Sequence, residues 1–314
     1  MGFSKTFNIK RLGEPRIFMG IEIARTRSEG KLTITQTKYI EKMGETFLTS
    51  STTKTFSTPV HTSRCDAFMK ITTAATDIDR AKMKLKPYLS LMGSLLWATL
   101  THPECAYYVA FLCQFMHDPS TDAWEAALGI LCYLQQAKSL GITFEKDKSN
   151  LLAPFTDSSW GQSPLPFGGF VILFCGGAIS WSARKLKIAP QSSAEAESAV
   201  YAACAKDLKF IIHLLQDLGI TFKHPIIIYC DNTTAVSHIL NVGATSRTKH
   251  YERWMHIGRE QFLTKFSLPK WISTIHQVAD IFTKALDKTT FLKFRAAILN
   301  LNFDHTPTLS EILS

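Results

Sequence analysis

This 314-residue sequence lacks several features common in zinc-binding, secreted and membrane proteins. Its seven cysteines include no Cys-x-x-Cys pair, which argues against a zinc site of the usual spacing. The cysteine number is odd and no signal-peptide pattern is present, so we expect a reducing compartment. No apolar run is long enough to span a bilayer, and we therefore expect no membrane partner.

The composition is that of a globular protein with a basic surface. Hydrophobic residues make up 46% and charged residues 19% of the chain, enough to bury a sizeable core. The length predicts two domains of ordinary size or one large one. A formal net charge of +9 fits a polyanionic partner, but it fits a surface kept basic for solubility equally well.

The first half of the sequence shows secondary structure without visible chemistry. We predict strands at residues 18–23 and 31–36 and a short helix from Thr37 to Met43. Residues 49–63 are rich in Ser and Thr and are predicted to be an exposed linker. Residues 85–140 show helical periodicity in three pieces, the last with Thr121 as its candidate N-cap.

The second half alternates between strand and helix patterns. The predicted order from residue 151 onward is β-β-β-α-β-α-α-β-α, which indicates an α/β fold with a mixed sheet. The long helix is predicted at residues 193–218. The last three elements are predicted as a helix at 248–263, a strand at 266–275 and a helix at 278–286.

Acidic residues occupy unexpected places in this half. Asp157 and Asp231 each end an apolar strand, and ligands of open α/β sheets bind at the carboxyl ends of strands. Glu195 and Glu197 lie in the first turn of the long helix, and Asp280 lies near the start of the last one. Carboxylates gathered in one cleft repel each other unless a cation such as Mg²⁺ or Mn²⁺ is bound.

Each acid also has an ordinary structural interpretation. Asp231 is positioned to cap the helix that begins at Thr233, and the other three helical acids are positioned to interact favourably with a helix dipole. Taken singly, no one of these residues identifies a reaction. The joint pattern favours a metal site, but spacing alone does not name the chemistry.

Six short motifs, in this order along residues 150–297, resemble the ribonuclease H domain of copia-type retrotransposon polyproteins. They are Thr156-Asp157-Ser158-Ser159-Trp160, Ala178-Ile179-Ser180-Trp181-Ser182, Ser192-Ser193-Ala194-Glu195-Ala196-Glu197, Tyr229-Cys230-Asp231-Asn232, Arg247-Thr248-Lys249-His250 and Ala279-Asp280-Ile281-Phe282-Thr283-Lys284. Segments upstream, at residues 12–23, 88–96 and 101–103, resemble the end of the reverse transcriptase in the same polyproteins.

The resemblance implies a ribonuclease H-like α/β fold with a mixed central sheet flanked by helices, preceded by a mainly helical tail of reverse transcriptase. It implies that two Mg²⁺ or Mn²⁺ ions are held by four acids, which would be Asp157, Glu197, Asp231 and Asp280. It further implies cleavage of the RNA strand of an RNA–DNA hybrid. Arg247, Lys249 and His250 would lie near the hybrid backbone, although a solvated basic helix start would look the same.

The choice between the two glutamates follows from helix geometry. Two residues correspond to about 200° of rotation, so Glu195 and Glu197 cannot face the same cleft. Steps of 7, 11 and 14 residues from Glu197 reach apolar positions, whereas the corresponding steps from Glu195 reach mostly polar ones. We therefore predict that Glu197 faces the acids and that Glu195 lies on the solvent side. Trp160 and Trp181 are predicted to be core residues.

By this resemblance the chain divides into five parts. These are a reverse transcriptase remnant at 1–48, a Ser/Thr-rich linker at 49–84, a helical connection at 85–145, the ribonuclease H-like domain at 146–300 and a tail at 301–314. The family's paired-aspartate polymerase motif does not occur in the sequence, so we expect no DNA polymerisation. The remainder of the Pol polyprotein is an expected partner. The cytoplasm is the expected location, with the nucleus or a virus-like particle as alternatives.

Departures from the family's pattern keep other functions open. The loop at 161–167 is short and holds two prolines, Gly168-Gly169-Phe170 replaces a serine-glycine-tyrosine pattern, and Ser198 stands where an aromatic is usual. One alternative is an inactive or domesticated remnant that binds nucleic acid through the same fold. Another is a related integrase or exonuclease, although four acids in this order argue against the three-acid integrase pattern.

Overall fold

The computed structural model describes residues 13–49, 56–146, 152–161, 166–241 and 252–301. In the first part of the chain, helices pack beside a small antiparallel sheet with strand order β1-β2-β3-β4. Its elements are β1 (Ile17–Phe18), β2 (Ile21–Thr26), β3 (Lys31–Thr35), α1 (Thr37–Phe47), α2 (Cys65–Met69), α3 (Asp77–Met83), α4 (Tyr88–Ala98), α5 (Ala106–Cys113), α6 (Thr121–Ala137) and β4 (Ile142–Glu145).

Three predictions for this part need correction. The strand predicted at 18–23 is interrupted by a two-residue turn at Met19 and Gly20, both with positive φ, which makes a β1–β2 hairpin. The N-cap of α6 is Ser120, whose hydroxyl accepts from the Ala123 amide, and not Thr121. The predicted linker at 49–84 contains α2 and α3, whose Phe68 and Met83 are buried, so its described residues are packed structure.

The second part of the chain is built around a five-stranded mixed sheet. Its elements are β5 (Ala153–Ser158), β6 (Phe167–Phe174), β7 (Gly177–Lys185), α7 (Ser193–Asp217), β8 (Ile226–Cys230), α8 (Thr233–Leu240), α9 (Glu252–Leu263), β9 (Ser267–Trp271) and α10 (Lys288–Leu299). The strand order is β7-β6-β5-β8-β9. The pairs β5–β6 and β6–β7 are antiparallel, whereas β5–β8 and β8–β9 are parallel.

This architecture confirms the predicted α/β fold with a mixed sheet and flanking helices. The end of the chain differs from the prediction. Residues predicted as a helix at 278–286 form only a short 3₁₀ turn, Val278–Phe282, and the helix that follows, α10, was not predicted. Asp287 caps α10 by accepting from the Thr289 and Thr290 amides, so the chain restarts as a new helix there.

The two parts of the chain share one hydrophobic core. Tyr107 of α5 packs edge-on against Phe167 of β6 at a centroid distance of 5.1 Å, and Tyr133 of α6 packs against Phe291 of α10 at 5.8 Å. The strand β4 pairs with β3, which joins the predicted reverse transcriptase remnant to the predicted helical connection in one sheet. The helical part therefore forms a supporting layer for the mixed sheet.

A buried polar network crosses the same interface. Glu104 accepts from the Tyr133 hydroxyl at 3.0 Å and contacts His102 Nδ1 at 2.8 Å. The guanidinium of Arg295, on α10, donates to the Tyr133 hydroxyl at 3.2 Å. Because buried polar groups are costly without partners, this network specifies how α10 sits against α6.

Candidate metal centre

The two strand-end aspartates lie side by side. β5 and β8 are parallel neighbours, with Thr156 in register with Cys230, so Asp157 and Asp231 follow at the same edge of the sheet. Asn232, and not Asp231, caps α8 by accepting from the Ala235 amide at 2.9 Å. Asp231 is therefore not needed as a helix cap, and its predicted adjacency to Asp157 is observed.

The N-terminal part of α7 brings Glu197 to the aspartates, although only Glu195 lies in the first turn as predicted. Glu197 is only 3% exposed, and Cys204, Leu208 and Ile211 follow it on the buried face of the helix, as the periodicity predicts. Its Oε1 accepts from both the amide and the hydroxyl of Ser158, each at 2.9 Å. These bonds fix the carboxylate against the end of β5.

The predicted solvent-side position of Glu195 is wrong. The residue does point away from Glu197, but it is 8% exposed and not on the solvent side. Its Oε2 accepts from the Gln191 amide at 2.8 Å, and its own amide donates to the Ser192 hydroxyl at 3.2 Å. The chain before α7 folds over the start of the helix, and Glu195 has a capping role in this turn.

Asp280 reaches the cluster because its segment lies very close to β6. A Cβ atom at Gly169, the residue paired with Asp157, would lie 2.5 Å from Phe282 Cβ. Only glycine leaves room for this approach. The Gln277 amide group donates to the carbonyl of Thr156 at 2.9 Å, which attaches the same segment to β5.

The four acids form two overlapping groups that share one residue. Asp157, Asp231 and Asp280 each offer a carboxylate oxygen, and these oxygens lie within 4.8 Å of one another. Glu197, Cys230 and Asp231 offer a second set of atoms within the same limit. Within the part of the chain that the structure describes, no other three His, Cys, Asp or Glu residues have ligand atoms within 4.8 Å of one another.

The electrostatics of the cluster are those of acids that need a cation. Burial and the neighbouring Asp157 raise the pKa of Asp280 to about 8. Burial, Asp157 and Asp231 raise the pKa of Glu197 well above its usual value, and burial and Asp157 raise that of Asp231. The Oδ1 atom of Asp280 is buried and has no hydrogen-bond partner. This oxygen donor set with an open carboxylate oxygen fits a hard divalent ion.

Several side chains that support the acids were not predicted. Thr283 donates a hydroxyl hydrogen bond to Asp157, and Thr274 donates one to Asp231 at 3.0 Å. Lys284 is 3.0 Å from Asp280 Oδ2, and the Cys230 thiol donates to Glu197 at 3.7 Å. The one available signal was the four-residue spacing between Asp280 and Lys284, which places them on one side of a helical turn.

The remaining predicted site residues are not part of this cluster. Arg247, Lys249 and His250 lie outside the described residues. Trp160 is 46% exposed and donates its indole N–H to the Pro190 carbonyl, so it is not a core residue as predicted. Trp181 is partly buried and packs against the main core, in agreement with its predicted role.

Comparisons with known proteins show where relatives of this chain occur. The chain matches no protein-family profile. It is 31% identical over 299 residues to the retrovirus-related Pol polyprotein from transposon RE2 of Arabidopsis thaliana. It is 30% identical over 292 residues to the retrovirus-related Pol polyprotein from transposon TNT 1-94 of Nicotiana tabacum. These alignments cover 94% and 92% of this chain, which spans 20% and 22% of the two relatives.

Among solved structures, the chain is similar to LC11-RNase H1, isolated from compost by a metagenomic approach. The identity is 16% and the TM-score 0.34, with 43% of this chain and 94% of that chain covered. The fold assignment rests on the chain's own strand order, in which three antiparallel strands are followed by two parallel ones, and on the position of α7 against the sheet.

No described helix has the length and apolar character required to cross a membrane.

The alignments extend over both parts of the chain, and the strand order defines the fold of the second part. The chain is therefore a relative of the retrovirus-related Pol polyproteins of plant transposons, and its second part has a ribonuclease H-like fold.

Proposed function

We propose that the chain is a metal-dependent ribonuclease that cleaves the RNA strand of RNA–DNA hybrids, as part of a copia-type retrotransposon Pol polyprotein. The observation that carries this proposal is the pair of overlapping groups, one of Asp157, Asp231 and Asp280 and one of Glu197, Asp231 and the Cys230 thiol, that share Asp231. Two groups with one common ligand suit two neighbouring divalent ions, the arrangement used for in-line displacement at phosphorus.

The donor set supports Mg²⁺ or Mn²⁺ as the ions. Asp157, Asp231 and Asp280 would hold one ion, and Glu197 with Asp231 would hold the other. Divalent ions in these positions would supply Lewis acidity for phosphodiester hydrolysis. The role of the chain is to hold four carboxylates close together, which Ser158, Thr274 and Thr283 accomplish by hydrogen bonds to three of them.

A basic substrate surface is consistent with this function. Between Arg247 and Arg295 the sequence holds ten Lys or Arg residues and four Asp or Glu residues. Such a surplus favours the phosphate backbone of a nucleic acid. We propose that Arg247, Lys249 and His250 contact the hybrid, and that the remainder of the Pol polyprotein is a further partner.

The test is cleavage by the purified chain. A hybrid with a labelled RNA strand is incubated with and without Mg²⁺, beside single-stranded RNA and duplex DNA of the same sequence. We expect cleavage of the hybrid alone, dependent on Mg²⁺ and abolished by Asp157→Asn. Binding of the hybrid without any cleavage in Mg²⁺ or Mn²⁺ would favour the alternative, a binding remnant of the same fold.

A further inference from the structure

One basic side chain enters the cluster of acids. Among the ion pairs of the described residues, those of Asp157 and Asp280 are both made by Lys284, whose Nζ lies 3.8 Å from Asp157 Oδ2 and 3.0 Å from Asp280 Oδ2. The Lys284 side chain is 29% exposed, so the ammonium group is partly withdrawn from water. Burial alone would lower its pKa, but Asp157 and Asp280 outweigh this effect and raise it.

The position of Lys284 is asymmetric with respect to the two acid groups. Both of its ion-pair partners belong to the group of Asp157, Asp231 and Asp280. Neither partner belongs to the group of Glu197, Cys230 and Asp231. The ammonium therefore already neutralises one of the two places where a divalent ion would bind.

The charges of the site make the two groups differ in their attraction for a divalent ion. The site sets four carboxyl groups against one ammonium, so a divalent ion that displaces their protons is attracted to either group. At the group beside Lys284, however, the ion meets a like charge at close range and must compete for the same carboxylate oxygens. At the group containing Glu197, Lys284 makes no ion pair and acts only through space on Asp231, so its competition with the ion is weaker there.

We propose that Lys284 is a built-in counter-ion that orders metal binding at this centre. It weakens the Asp157–Asp231–Asp280 position, so that the Glu197–Asp231 position fills first. Binding of the second ion requires the ammonium to move away, which its flexible stem and partial exposure allow. Lys284 is thus a positioning residue for the metals, and this inference rests on the proposed metal-dependent function.

The test measures binding of Mn²⁺ alone, without nucleic acid. Calorimetry of the full chain should show two classes of Mn²⁺ affinity. Lys284→Gln should tighten the weaker class by roughly tenfold, because it removes a like charge at close range from the ion. The same variant should lower the melting temperature of the metal-free protein, because four acids then face one another without a cation. A merely structural lysine would not strengthen metal binding when it is removed.

Two variants serve as controls. Lys284→Arg keeps the positive charge and should retain two separate classes of affinity. Lys288→Gln removes an exposed lysine four residues further along the chain and should leave Mn²⁺ binding unchanged. Unchanged or weaker Mn²⁺ binding by Lys284→Gln, or two equal affinities in the wild-type protein, would overturn the inference while leaving hybrid cleavage to be judged separately.

A second measurement needs no variant. In the wild-type protein with ¹⁵N-labelled lysine, the Lys284 side-chain resonance should stay in place with the first equivalent of Mg²⁺ and shift with the second. A shift that is complete after the first equivalent would contradict the order of binding. Failure of Mn²⁺ and Mg²⁺ to bind at all would overturn both this inference and the proposed function.

Discussion

Gly169 lies so close to Phe282 that a Cβ atom at residue 169 would be 2.5 Å from the phenylalanine Cβ. This contact connects the strand beside Asp157 to the segment that carries Asp280. The distance between the two carboxylates thus depends on a glycine that itself takes no part in chemistry. Gly169 is the middle residue of Gly168-Gly169-Phe170, the position that is also glycine in the serine-glycine-tyrosine pattern which this segment resembles.

Gly169→Ala should therefore displace the Asp280 segment. We expect a loss of about 1–3 kcal/mol in the free energy of unfolding, as for other overpacked core positions, together with weaker Mn²⁺ binding. Urea denaturation and calorimetry measure the two effects. Gly93→Ala is the matched control, because a Cβ there meets no atom within 4 Å and the residue lies inside α4. Equal behaviour of the two variants would show that the close contact does not position Asp280.

Tyr133→Phe tests the buried network between α6 and α10. The change removes a hydroxyl that donates to Glu104 and accepts from Arg295, and both partners are left with fewer hydrogen bonds. We expect the free energy of unfolding to fall by about 1–3 kcal/mol. Tyr39→Phe, which removes a longer bond to the Ser94 carbonyl, should cost less. If Tyr133→Phe is neutral in urea denaturation, the network does not stabilise the interface.

The pH dependence of stability should have an unusual sign without metal. The pKa of Asp280 is raised to about 8 in the folded protein, so the folded state holds a proton there that the unfolded state has lost. A raised folded-state pKa contributes stability at low pH that is lost as pH rises to about 8. Glu197 acts in the same direction.

The check compares the wild-type protein with Asp280→Asn in chelator. Between about pH 5 and pH 8, the free energy of unfolding should fall more steeply with pH in the wild type, because the variant lacks one titrating group. Saturating Mg²⁺ should flatten the wild-type curve, since the ion stabilises the ionised acids. A wild-type curve no steeper than that of the variant would contradict the raised pKa.

Salt dependence tests the proposed hybrid-binding residues. Arg247→Ala combined with Lys249→Ala should weaken hybrid binding with little change in sequence preference, because phosphate contacts carry no sequence code. The slope of log affinity against log salt should fall by about 2, one for each lost contact. Binding in chelator avoids cleavage during the measurement. A slope unchanged by the double variant would show that these residues do not contact the backbone.

The expected absence of DNA polymerase activity can also be tested. The described residues before β5 contain no group of three or more acids, histidines or cysteines close enough for a metal ion. We expect no template-directed nucleotide incorporation by the purified chain on a primed template with Mg²⁺. Incorporation above that of a heat-inactivated sample would contradict this expectation.

Much of the second part of the fold was predictable because its apolar residues recur at clear strand or helix spacing. The continuous apolar run of β8 and the apolar face of α7 indicated these two elements. The rotation of about 200° between residues two apart on a helix predicted that Glu197 and Glu195 face different sides. The segment at 278–286 was predicted wrongly because its apolar residues have helical spacing, whereas the structure has only a short 3₁₀ turn there, next to Gln277, whose side chain binds the backbone of β5. That tertiary contact is not visible in local sequence.

The site was only partly predictable for a similar reason. Acids at strand ends and in a first helical turn are recognisable from position, so the four carboxylates could be proposed. Glu195 was placed in solvent because the fold of the chain before α7, which covers it, leaves no periodic signal. Thr283 and Lys284 both contact Asp157, which lies 126 or more residues earlier in the chain. Both residues also belong to the segment that was predicted as a helix, so their contacts with the acids could not be inferred from local sequence.

The most direct test of the proposed function compares Glu197→Gln with Glu195→Gln in cleavage of an RNA–DNA hybrid. The two residues are neighbours on one turn and both are buried, but only Glu197 faces the aspartates. We predict that Glu197→Gln abolishes Mg²⁺-dependent cleavage and keeps the fold. Glu195→Gln should retain cleavage and lose about 1 kcal/mol of stability, because it weakens the turn before α7. Full cleavage by Glu197→Gln, or its loss in a folded Glu195→Gln alone, would contradict the proposed metal centre.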